Sequence, residues 1–504
     1  MPGGSRPIPE GRREIVASAS LRPGSPAISS YFHRSGIYVF LISIACTYYL
    51  LNAAQIVGHY DLGWHLAAGD LIRDQDQVPF QDPWSFTSGG RQWFNLSWLW
   101  DVFASILFQH TNFCGLLLFV VACGAIIVGY LASICLRTGA SAIAVCISVF
   151  LATLLFPAFA AYPNVYLAAA PNIATMLFSV IFYGECLKGT RRVLWLPAMM
   201  VLWANLHGGF LLGLFIIGIF GGVALLRLNW AAVKLYALAG VGCLIATLIN
   251  PLGWHIYEGV ACTLGNSAQA NITEWWPYYR NIVLPGSLPG IVYILTFVAV
   301  ELRYRGFCPL EARLLSWLFL FLGLYQFRYM SFFYLFSAVP FALHLDRLLP
   351  KQRSDIRVER ALFFAGIVAA CAIPFFYTRM DMALGLPEML SEQDVRYLET
   401  NFPHARLLNH WNYGGILIFR MRGDIPVFVD GRAATVYPDA LLRDYFRLGR
   451  LEVNEIAWDE VLEKYKINMV LWPRAHEALR RFLVDKRGWK EAYAGSYASI
   501  YVKP

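Results

Sequence analysis

The side chains best suited to chemistry lie where long apolar segments end. Asp61 follows the first apolar run by a few residues, with His59 and His65 beside it. A carboxylate there can accept a proton from a hydroxyl or an amide, or bind a divalent metal that neutralises a phosphate leaving group. Asp61 can equally be the N-cap of a helix. Asp82, in the same loop, is a weaker catalytic candidate because Asp-Pro-Trp is also typical of an ordinary turn.

Two further polar groups occupy the turn of a predicted helical hairpin. Asn205 and His207 precede a glycine pair, Gly208-Gly209, that would let the backbone approach a ligand closely. Asn205 is a candidate for binding a donor phosphate, and His207 could shuttle a proton or hold an oxygen of that phosphate. Hydrogen bonding between packed helices is the structural alternative, and the sequence leaves both open.

Cationic and acidic groups recur at the ends of later apolar runs. Arg328 could bind a donor phosphate in two directions, or extend to lipid headgroups, and Arg280 is a weaker candidate for the same role. Glu274 and Glu258 are the acids of the later outer loops. Glu274 could complete a metal site with Asp61 or cap a helix before the tryptophan that follows it.

The elements that must position these groups are apolar helices. Of 504 residues, 58% are hydrophobic and 15% are charged, and the mean hydropathy is +0.49, which is typical of a polytopic membrane protein rather than a soluble one. We predict about 11 transmembrane helices if the short run at 193–206 crosses, and nine or ten crossings remain alternatives. The predicted spans are 37–57, 113–136, 141–157, 170–187, 193–206, 209–227, 231–249, 288–302, 312–326, 329–346 and 360–378.

The distribution of charge predicts the topology. Most Lys and Arg residues before residue 381 fall on one side of the predicted spans, as expected for the cytoplasmic side. Residues 1–35 are then a cytoplasmic tail, and 36–380 form the membrane domain with 58–112 as its first outer loop. Residues 381–504 hold 17 basic and 17 acidic residues and are predicted to form an extracytoplasmic, soluble α/β domain. The predicted location is the plasma membrane, the inner membrane of a bacterium.

Local patterns give a first outline of the loop and the tail. A helix should begin at Asp61 or Gly63 and end before Val78-Pro79, and a second interfacial helix should follow in the same loop. In the tail, alternating apolar residues predict strands at 427–429, 469–471 and 497–502, and amphipathic patterns predict helices at 391–401, 438–448, 456–465 and 475–487.

Several classes of function are disfavoured. No basic patch interleaved with aromatic residues points to nucleic acid, and the cysteines have no zinc-site spacing. Phosphate-binding glycine loops and serine-hydrolase elbows are also missing from the sequence. The predicted span interiors carry few ionisable groups, which argues against a transporter with a charge relay.

The first outer loop resembles that of the GT-C glycosyltransferase superfamily and of uncharacterised bacterial membrane proteins placed near it. The shared pattern is D-x-W-x-H-L-x-x-G followed by V-P-x-x-D-P-x-S-F-T, which here begins at Asp61 and at Val78. The runs NLHGGF at Asn205–Phe210, NITEW at Asn271–Trp275 and PVFVDGR at Pro426–Arg432 extend the resemblance. The tail motif HWNYGG is similar to the W-W-D-Y-G signature of oligosaccharyltransferase catalytic subunits, with His410 and Asn412 as departures.

The resemblance implies transfer of a sugar from a polyprenyl-phosphate-linked donor to an extracytoplasmic acceptor, either a glycan, a lipid or a protein. Asp61 would then be the base or a metal ligand, and Trp411 and Tyr413 would stack on the acceptor. Because the second outer loop has no DxD pair, the sequence leaves open whether the reaction requires a divalent metal, Mg²⁺ or Mn²⁺. Membrane lipids are the other expected partners.

The catalytic cavity is predicted between the 58–112 loop, the 193–227 hairpin and the 250–287 loop. Two other functions remain as alternatives: a transporter or flippase of lipid-linked or anionic solutes, and a non-catalytic assembly subunit with the same fold.

Overall fold

The computed structural model describes residues 28–51, 58–158, 168–281, 287–349, 361–362, 364–366, 368, 390–402, 405–449 and 453–504. Within these ranges the protein is mostly helical, with a small sheet near the C-terminus. Most of the predicted cytoplasmic tail and most of the predicted span 360–378 lie outside the described residues.

The apolar part is a series of helices that follow one another through short connections. They are α1 (Ile28–Leu51), α2 (Leu62–Gln75), α3 (Trp98–Arg137), α4 (Ala142–Ala158), α5 (Asn172–Lys188), α6 (Leu196–Leu206), α7 (Leu211–Leu226), α8 (Trp230–Ala246), α9 (Ile256–Leu264), α10 (Tyr278–Asn281), α11 (Ser287–Tyr304), α12 (Leu310–Tyr325) and α13 (Met330–Leu348). Each predicted span from 37–57 to 329–346 overlaps one of these helices, because a helix satisfies the backbone polar groups of an apolar segment internally.

The number of membrane crossings is not established by these helices. Among the described residues, two helices are long and apolar enough to cross a membrane, Trp98–Arg137 and Gly208–Leu226. Gly36–Leu50, Ala142–Ala152 and Trp230–Ala246 are shorter apolar helices. The predicted count of about 11 therefore stays a prediction.

Helix α3 combines two elements that the sequence separated. Its 40 residues include a break at Asn112, where the backbone has φ 53° and ψ −151°. The turns before Asn112 are the predicted second interfacial helix of the first outer loop, and the turns after it are the predicted span 113–136. The polar residues of the early turns thus lie on a short helix that joins the apolar helix across this break.

The tail contains a four-stranded sheet flanked by short helices. The helices are α14 (Glu392–Asn401), α15 (Gly414–Met421), α16 (Asp439–Phe446), α17 (Glu455–Lys464) and α18 (Glu477–Arg480). The strands are β1 (Leu407–Asn409), β2 (Met469–Pro473), β3 (Lys490–Ala494) and β4 (Ala498–Val502). Their order is β1-β2-β4-β3, with β1 and β2 parallel and the other pairs antiparallel.

The strand predicted at 427–429 does not join this sheet. Val427 makes an isolated bridge to Ser85. The Asn409 side chain then takes the place of a partner strand: its amide donates to the carbonyl of Val429 at 2.8 Å, and its oxygen accepts from the backbone N–H of Phe428 at 2.8 Å. The segment is extended and buried, as its sequence suggested, but a side chain and a loop satisfy its backbone.

The tail and the first outer loop share one apolar core. Trp64, Trp84 and Trp93 of the loop pack with the buried residues of the tail sheet and helices. Helix α2 also approaches α15 closely, since a Cβ on Gly63 would lie 2.4 Å from the carbonyl oxygen of Gly415. Glycine at both positions lets the two helices meet backbone to backbone, which fixes α2 relative to the tail.

At the end of α12 remote from Arg328, three helices are joined by a buried ionic cluster. Glu301 of α11 accepts from the Arg313 guanidinium at 2.5 Å and lies 2.5 Å from Nε2 of His344 in α13. Glu301 and His344 are almost fully buried. The cluster therefore holds α11, α12 and α13 together at that end.

Candidate active site

Asp61 lies immediately before α2, but its side chain does not cap that helix. It is one third exposed and lies 4.0 Å from Nδ1 of His59. Its Oδ1 also touches the backbone of Gly431 in the tail: a Cβ on Gly431 would be only 1.7 Å away. The N-cap interpretation of Asp61 therefore does not account for its carboxylate, which remains available to a ligand.

His65 is one helical turn after Asp61 and is held by a residue that the sequence analysis did not single out. Its Nδ1 lies 2.6 Å from Oδ1 of Asp101, and both side chains are buried. The Asn95 amide donates to the other oxygen of Asp101 at 2.8 Å, and the Ser97 hydroxyl lies 3.3 Å from Oδ1. The pairing of Asn95 and Asp101 within one short polar stretch, N-L-S-W-L-W-D, was the available sequence signal.

His207 is fixed in one tautomer by its neighbours. The Trp203 indole N–H donates to the Thr175 hydroxyl at 2.9 Å, which leaves that hydroxyl to donate to Nδ1 of His207 at 2.7 Å. The backbone N–H of Gly209 also points at Nδ1, at 3.3 Å. Nδ1 is therefore the acceptor nitrogen, and the neutral ring carries its proton on Nε2.

The ring of His207 stays neutral. Burial lowers the pKa of His207 to about 3, and the positive charge of Arg328 acts in the same direction. A histidine that is neutral near pH 7 and carries its proton on Nε2 can act as a hydrogen-bond donor through that nitrogen. The alternative that His207 shuttles a proton does not fit this environment.

Arg328 follows α12 in the turn Phe327–Tyr329, where two groups orient its guanidinium. The guanidinium carbon lies 3.9 Å from the centroid of the Trp275 ring, and an Nη atom lies 3.8 Å from the Glu274 carboxylate. Arg328 is 30% exposed, so the stacked fork still has donors to offer an anion.

These groups belong to one electrostatic neighbourhood. Burial lowers the pKa of His59, against the opposing charge of Asp61, and His65 and Glu274 also contribute. Arg328 and His65 in turn lie close enough to affect the pKa of His207. We call Asp61, His65, His207 and Arg328 the Asp61 site. It draws on the 58–112 loop and the 193–227 hairpin, and the 250–287 loop supplies Glu274 and Trp275, which contact Arg328.

The backbone contacts of the hairpin turn show how these segments meet. A Cβ on Gly208 would lie 3.0 Å from Leu96 of the first outer loop and 3.7 Å from Val260 of α9. The turn is thus packed between both outer loops, which brings His207 to the site.

Solved structures match more than nine tenths of the chain. The archaeal oligosaccharyltransferase AglB from Archaeoglobus fulgidus, in complex with an inhibitory peptide and a dolichol-phosphate, superposes with a TM-score of 0.57 at 13% identity, over 91% of this chain and 71% of that one. The chain has a GT-C-type fold. The same archaeal enzyme tethered to an acceptor peptide containing the NVT sequon gives a TM-score of 0.54 at 14% identity, over 93% and 74% of the two chains. No protein-family model and no curated protein sequence matches the chain.

The GT-C-type fold confirms the resemblance to this superfamily at the level of architecture. It covers the helical part and the tail together, so the tail is an integral part of the fold rather than an unrelated appendage. Identity of 13–14% does not carry residue roles, and those rest on the geometry of this chain.

Asp82 lies outside the Asp61 site, in a buried ionic network. The side chains of Asp82, Asp430 and Arg432 are fully buried. Arg432 donates to Asp82 at 2.7 Å and to both oxygens of Asp430 at 2.9 and 2.7 Å. Asp82 also accepts from the backbone N–H groups of Trp84 and Ser85. The catalytic role predicted for Asp82 does not fit this environment, and the turn interpretation does.

The Asn205 side chain links separate segments through hydrogen bonds. Its oxygen accepts from the Trp98 indole at 2.7 Å, and its amide donates to the carbonyls of Val201 and Ile249 at 2.7 and 2.8 Å. These contacts join α3, α6 and the end of α8. Since both ends of the side chain are occupied, the predicted phosphate-binding role of Asn205 does not fit.

Arg280 is exposed and stacks on Trp276, with its guanidinium carbon 5.7 Å from the ring centroid. Its contacts do not include the groups of the Asp61 site, so the structure does not support it as a phosphate ligand.

The tail motif packs into the core of the tail. Tyr413 is 2% exposed, and burial raises its pKa. Trp411 is half-buried against Tyr445 and Phe446. Tyr413 therefore cannot stack on an acceptor in this conformation, and Trp411 has one face engaged. His410 caps the short helical turn at 411–413.

The donor set for a metal is incomplete. Among the described residues, no group of three or more His, Cys, Asp or Glu side chains lies close enough to hold an ion. Asp61 and Glu274 both influence His59, but Glu274 is engaged with Arg328. The described residues of this chain do not fit a complete metal site, so no catalytic step is assigned to a metal.

A cavity of about 640 Å³ lies further along α2, away from these groups. It is bounded by α2, α3 and α15. Asp70 in its lining accepts from Arg422 at 2.6 Å and from the Ser105 hydroxyl at 2.5 Å. The cavity is separate from the Asp61 site.

Proposed function

We propose that the protein is a membrane glycosyltransferase that moves a sugar from a polyprenyl-phosphate-linked donor to an acceptor on the extracytoplasmic face. The GT-C-type fold and the apolar helices support this assignment. The dolichol-phosphate bound to the archaeal neighbour is a lipid of the proposed donor class.

One observation carries the proposal: groups suited to a phosphate and groups suited to an acceptor share the Asp61 site. Arg328 supplies a stacked, partly exposed guanidinium, and neutral His207 supplies an N–H donor. Asp61, immediately before α2, supplies a carboxylate, and His65, in the first turn of that helix, supplies an imidazole. Glycosyl transfer requires such a division, since negative charge develops on the leaving phosphate while a proton leaves the acceptor.

In the proposed reaction, Arg328 binds the donor phosphate and stabilises the charge that grows as the bond to the sugar breaks. The Nε2–H of His207 donates to a phosphate oxygen, and its low pKa keeps it neutral throughout. Asp61 accepts a hydrogen bond from the acceptor and stabilises the positive charge that builds at the anomeric carbon. Either Asp61 or His65 can take the acceptor's proton.

The lipid chain of the donor would lie along the helices, with membrane lipids around them. The N-terminus would be cytoplasmic and the tail extracytoplasmic. Single cysteines placed at the exposed positions Ala475 and Glu477 and labelled with a membrane-impermeant reagent in intact cells test this topology. Labelling only after the cells are lysed would reverse it.

The function is tested by replacing Asp61→Asn in the full chain, reconstituted with membranes that contain donor and acceptor. Because Asn keeps the size but not the charge, we expect membrane expression to be preserved and transfer to fall by at least roughly a hundredfold. Asp74→Asn, an exposed acid on the same helix, is the matched control and should transfer normally. Undiminished transfer by Asp61→Asn removes Asp61 from the mechanism.

A further inference from the structure

We propose that His65, oriented by Asp101, takes the acceptor's proton, and that the acceptor group is a hydroxyl rather than an amide. This inference rests on the proposed glycosyl transfer and identifies both its base and its substrate class.

The hydrogen bond to Asp101 sets the orientation of the His65 ring. Its Nδ1 faces the Asp101 carboxylate at 2.6 Å, so the N–H of the neutral ring is on Nδ1 and the basic lone pair is on Nε2. Asp101 cannot turn away, because Asn95 and Ser97 hold its two oxygens. A buried carboxylate fixed by its own partners is the arrangement that orients a general base.

His65 also lies close to Asp61. His65 follows Asp61 by four residues, and its backbone N–H bonds to the Asp61 carbonyl at 3.2 Å, so both side chains lie on one face of the helix. The titratable groups around His65 are Asp101 on α3, Asp61 and His59 beside α2, and His207 at the hairpin turn. Among the described residues, no hydrogen bond engages its Nε2.

The two histidines of the site are complementary. His65 offers a lone pair, whereas His207 offers an N–H and stays neutral. A proton released by the acceptor therefore has one histidine able to accept it, and the resulting imidazolium is stabilised by Asp101. Asp61 is left to orient the acceptor and to face the sugar.

The nature of the base selects the acceptor. A hydroxyl oxygen has a free lone pair, and its proton can leave to a neutral imidazole as the new bond forms. The lone pair of an amide nitrogen is delocalised into the carbonyl group, so an amide must first lose that conjugation before it can attack. A single imidazole with its carboxylate partner matches the first requirement alone.

The acceptor oxygen forms a bond to the anomeric carbon, and the bond from that carbon to the donor phosphate oxygen breaks with its electron pair on the phosphate. The acceptor proton moves to Nε2 of His65. The polyprenyl phosphate leaves against Arg328, and His65 later returns its proton to water.

The experiment compares His65→Gln, Asp101→Asn and the exposed control His255→Gln, each as the full chain. The assay uses vesicles of lipids extracted from the source cell's membrane, which contain the endogenous donor and acceptor. We expect kcat to fall by roughly a hundredfold or more for His65→Gln with little change in KM, and by about tenfold or more for Asp101→Asn. The control should match the wild type. Added imidazole should restore part of the activity of His65→Ala, which a purely structural role of His65 would not produce.

The product identifies the acceptor. Mass spectrometry of the isolated wild-type product should place the new bond on oxygen. A bond on amide nitrogen, or undiminished transfer by both His65→Gln and His65→Ala, overturns this inference while leaving glycosyl transfer intact. No transfer by the wild type, with donor and acceptor shown to be present, overturns the proposed function instead. If His65→Gln does not fold, the near-isosteric Asp101→Asn decides: unchanged kcat contradicts the role of the pair.

Discussion

Replacing Arg432 with leucine should loosen the contact between the tail and the first outer loop. The guanidinium is fully buried between Asp82 and Asp430 and lies 5.0 Å from the ring centroids of both Trp84 and Trp93. Burial opposes its charge, but Asp430, Tyr437 and Asp82 raise the pKa of Arg432 well above its usual value. Arg432→Leu leaves two buried carboxylates without their cation.

Removing one partner of a buried ionic network costs about 3–5 kcal/mol. The lower end of this range applies here, because Asp82 keeps two backbone N–H donors and Asp430 keeps the Tyr437 hydroxyl at 2.5 Å. A loss of about 3 kcal/mol increases the population of the form in which the first outer loop has separated from the tail by roughly a hundredfold.

Hydrogen exchange in nanodiscs measures this opening directly. The amides of Phe86 and Val427 join the loop to the tail, with N–O distances of 3.2 and 3.0 Å, and their exchange should accelerate by that factor. Arg443→Leu is the matched control. Its pair with Asp439 is largely exposed, so its loss should cost less than about 1 kcal/mol. Equal exchange in the two variants would refute the assignment of Arg432 as the lock between loop and tail.

Three further outcomes follow from the Asp61 site. Gly431→Ala would place a Cβ 1.7 Å from the Asp61 carboxylate, so the carboxylate must shift by more than an ångström and transfer should fall by about a hundredfold, measured as product formed per enzyme. Arg328→Lys keeps the charge but loses the planar fork stacked on tryptophan, and transfer should fall about tenfold or more. Burial favours the neutral form of His207, so the free energy of unfolding that this contributes above about pH 6.5 should be lost as the pH falls toward 3. The loss should reach about 2 kcal/mol at pH 5. His207→Gln should abolish it, measured by thermal unfolding at pH 7.5 and pH 5.

The chain offers matched controls for the substitutions of Gly431 and Arg328. Gly306→Ala adds a Cβ that meets no atom within 4 Å, and Arg280→Lys changes an exposed cation outside the site; both should transfer like the wild type. Normal transfer by Gly431→Ala would show that the position of Asp61 against the tail does not matter. Equal effects of Arg328→Lys and Arg280→Lys would remove Arg328 from phosphate binding. An unchanged pH dependence in His207→Gln would contradict the neutral, buried state of that ring.

Local sequence predicted most of the helical framework. Apolar runs long enough to bury a helix overlap α1 and α3–α13 apart from the short α9 and α10, and the predicted start of a helix at Asp61 or Gly63 agrees with α2 (Leu62–Gln75). The tail was less predictable. β1 was missed because its three buried residues are too few to show alternation, and β3 was missed because its side chains are mostly half-exposed.

The sequence by itself determined that apolar helices carry polar groups at their ends, because the length and composition of each segment record what that segment can bury. It also identified Asp61, His65, His207 and Arg328 as groups to watch. Only the tertiary structure decided their partners. Arg432 meets Asp82 across 350 positions of sequence, and His65 meets Asp101 across 36. Periodicity shows which face of a helix is buried, but the charge or hydrogen bond that a side chain meets there is set by packing between distant segments.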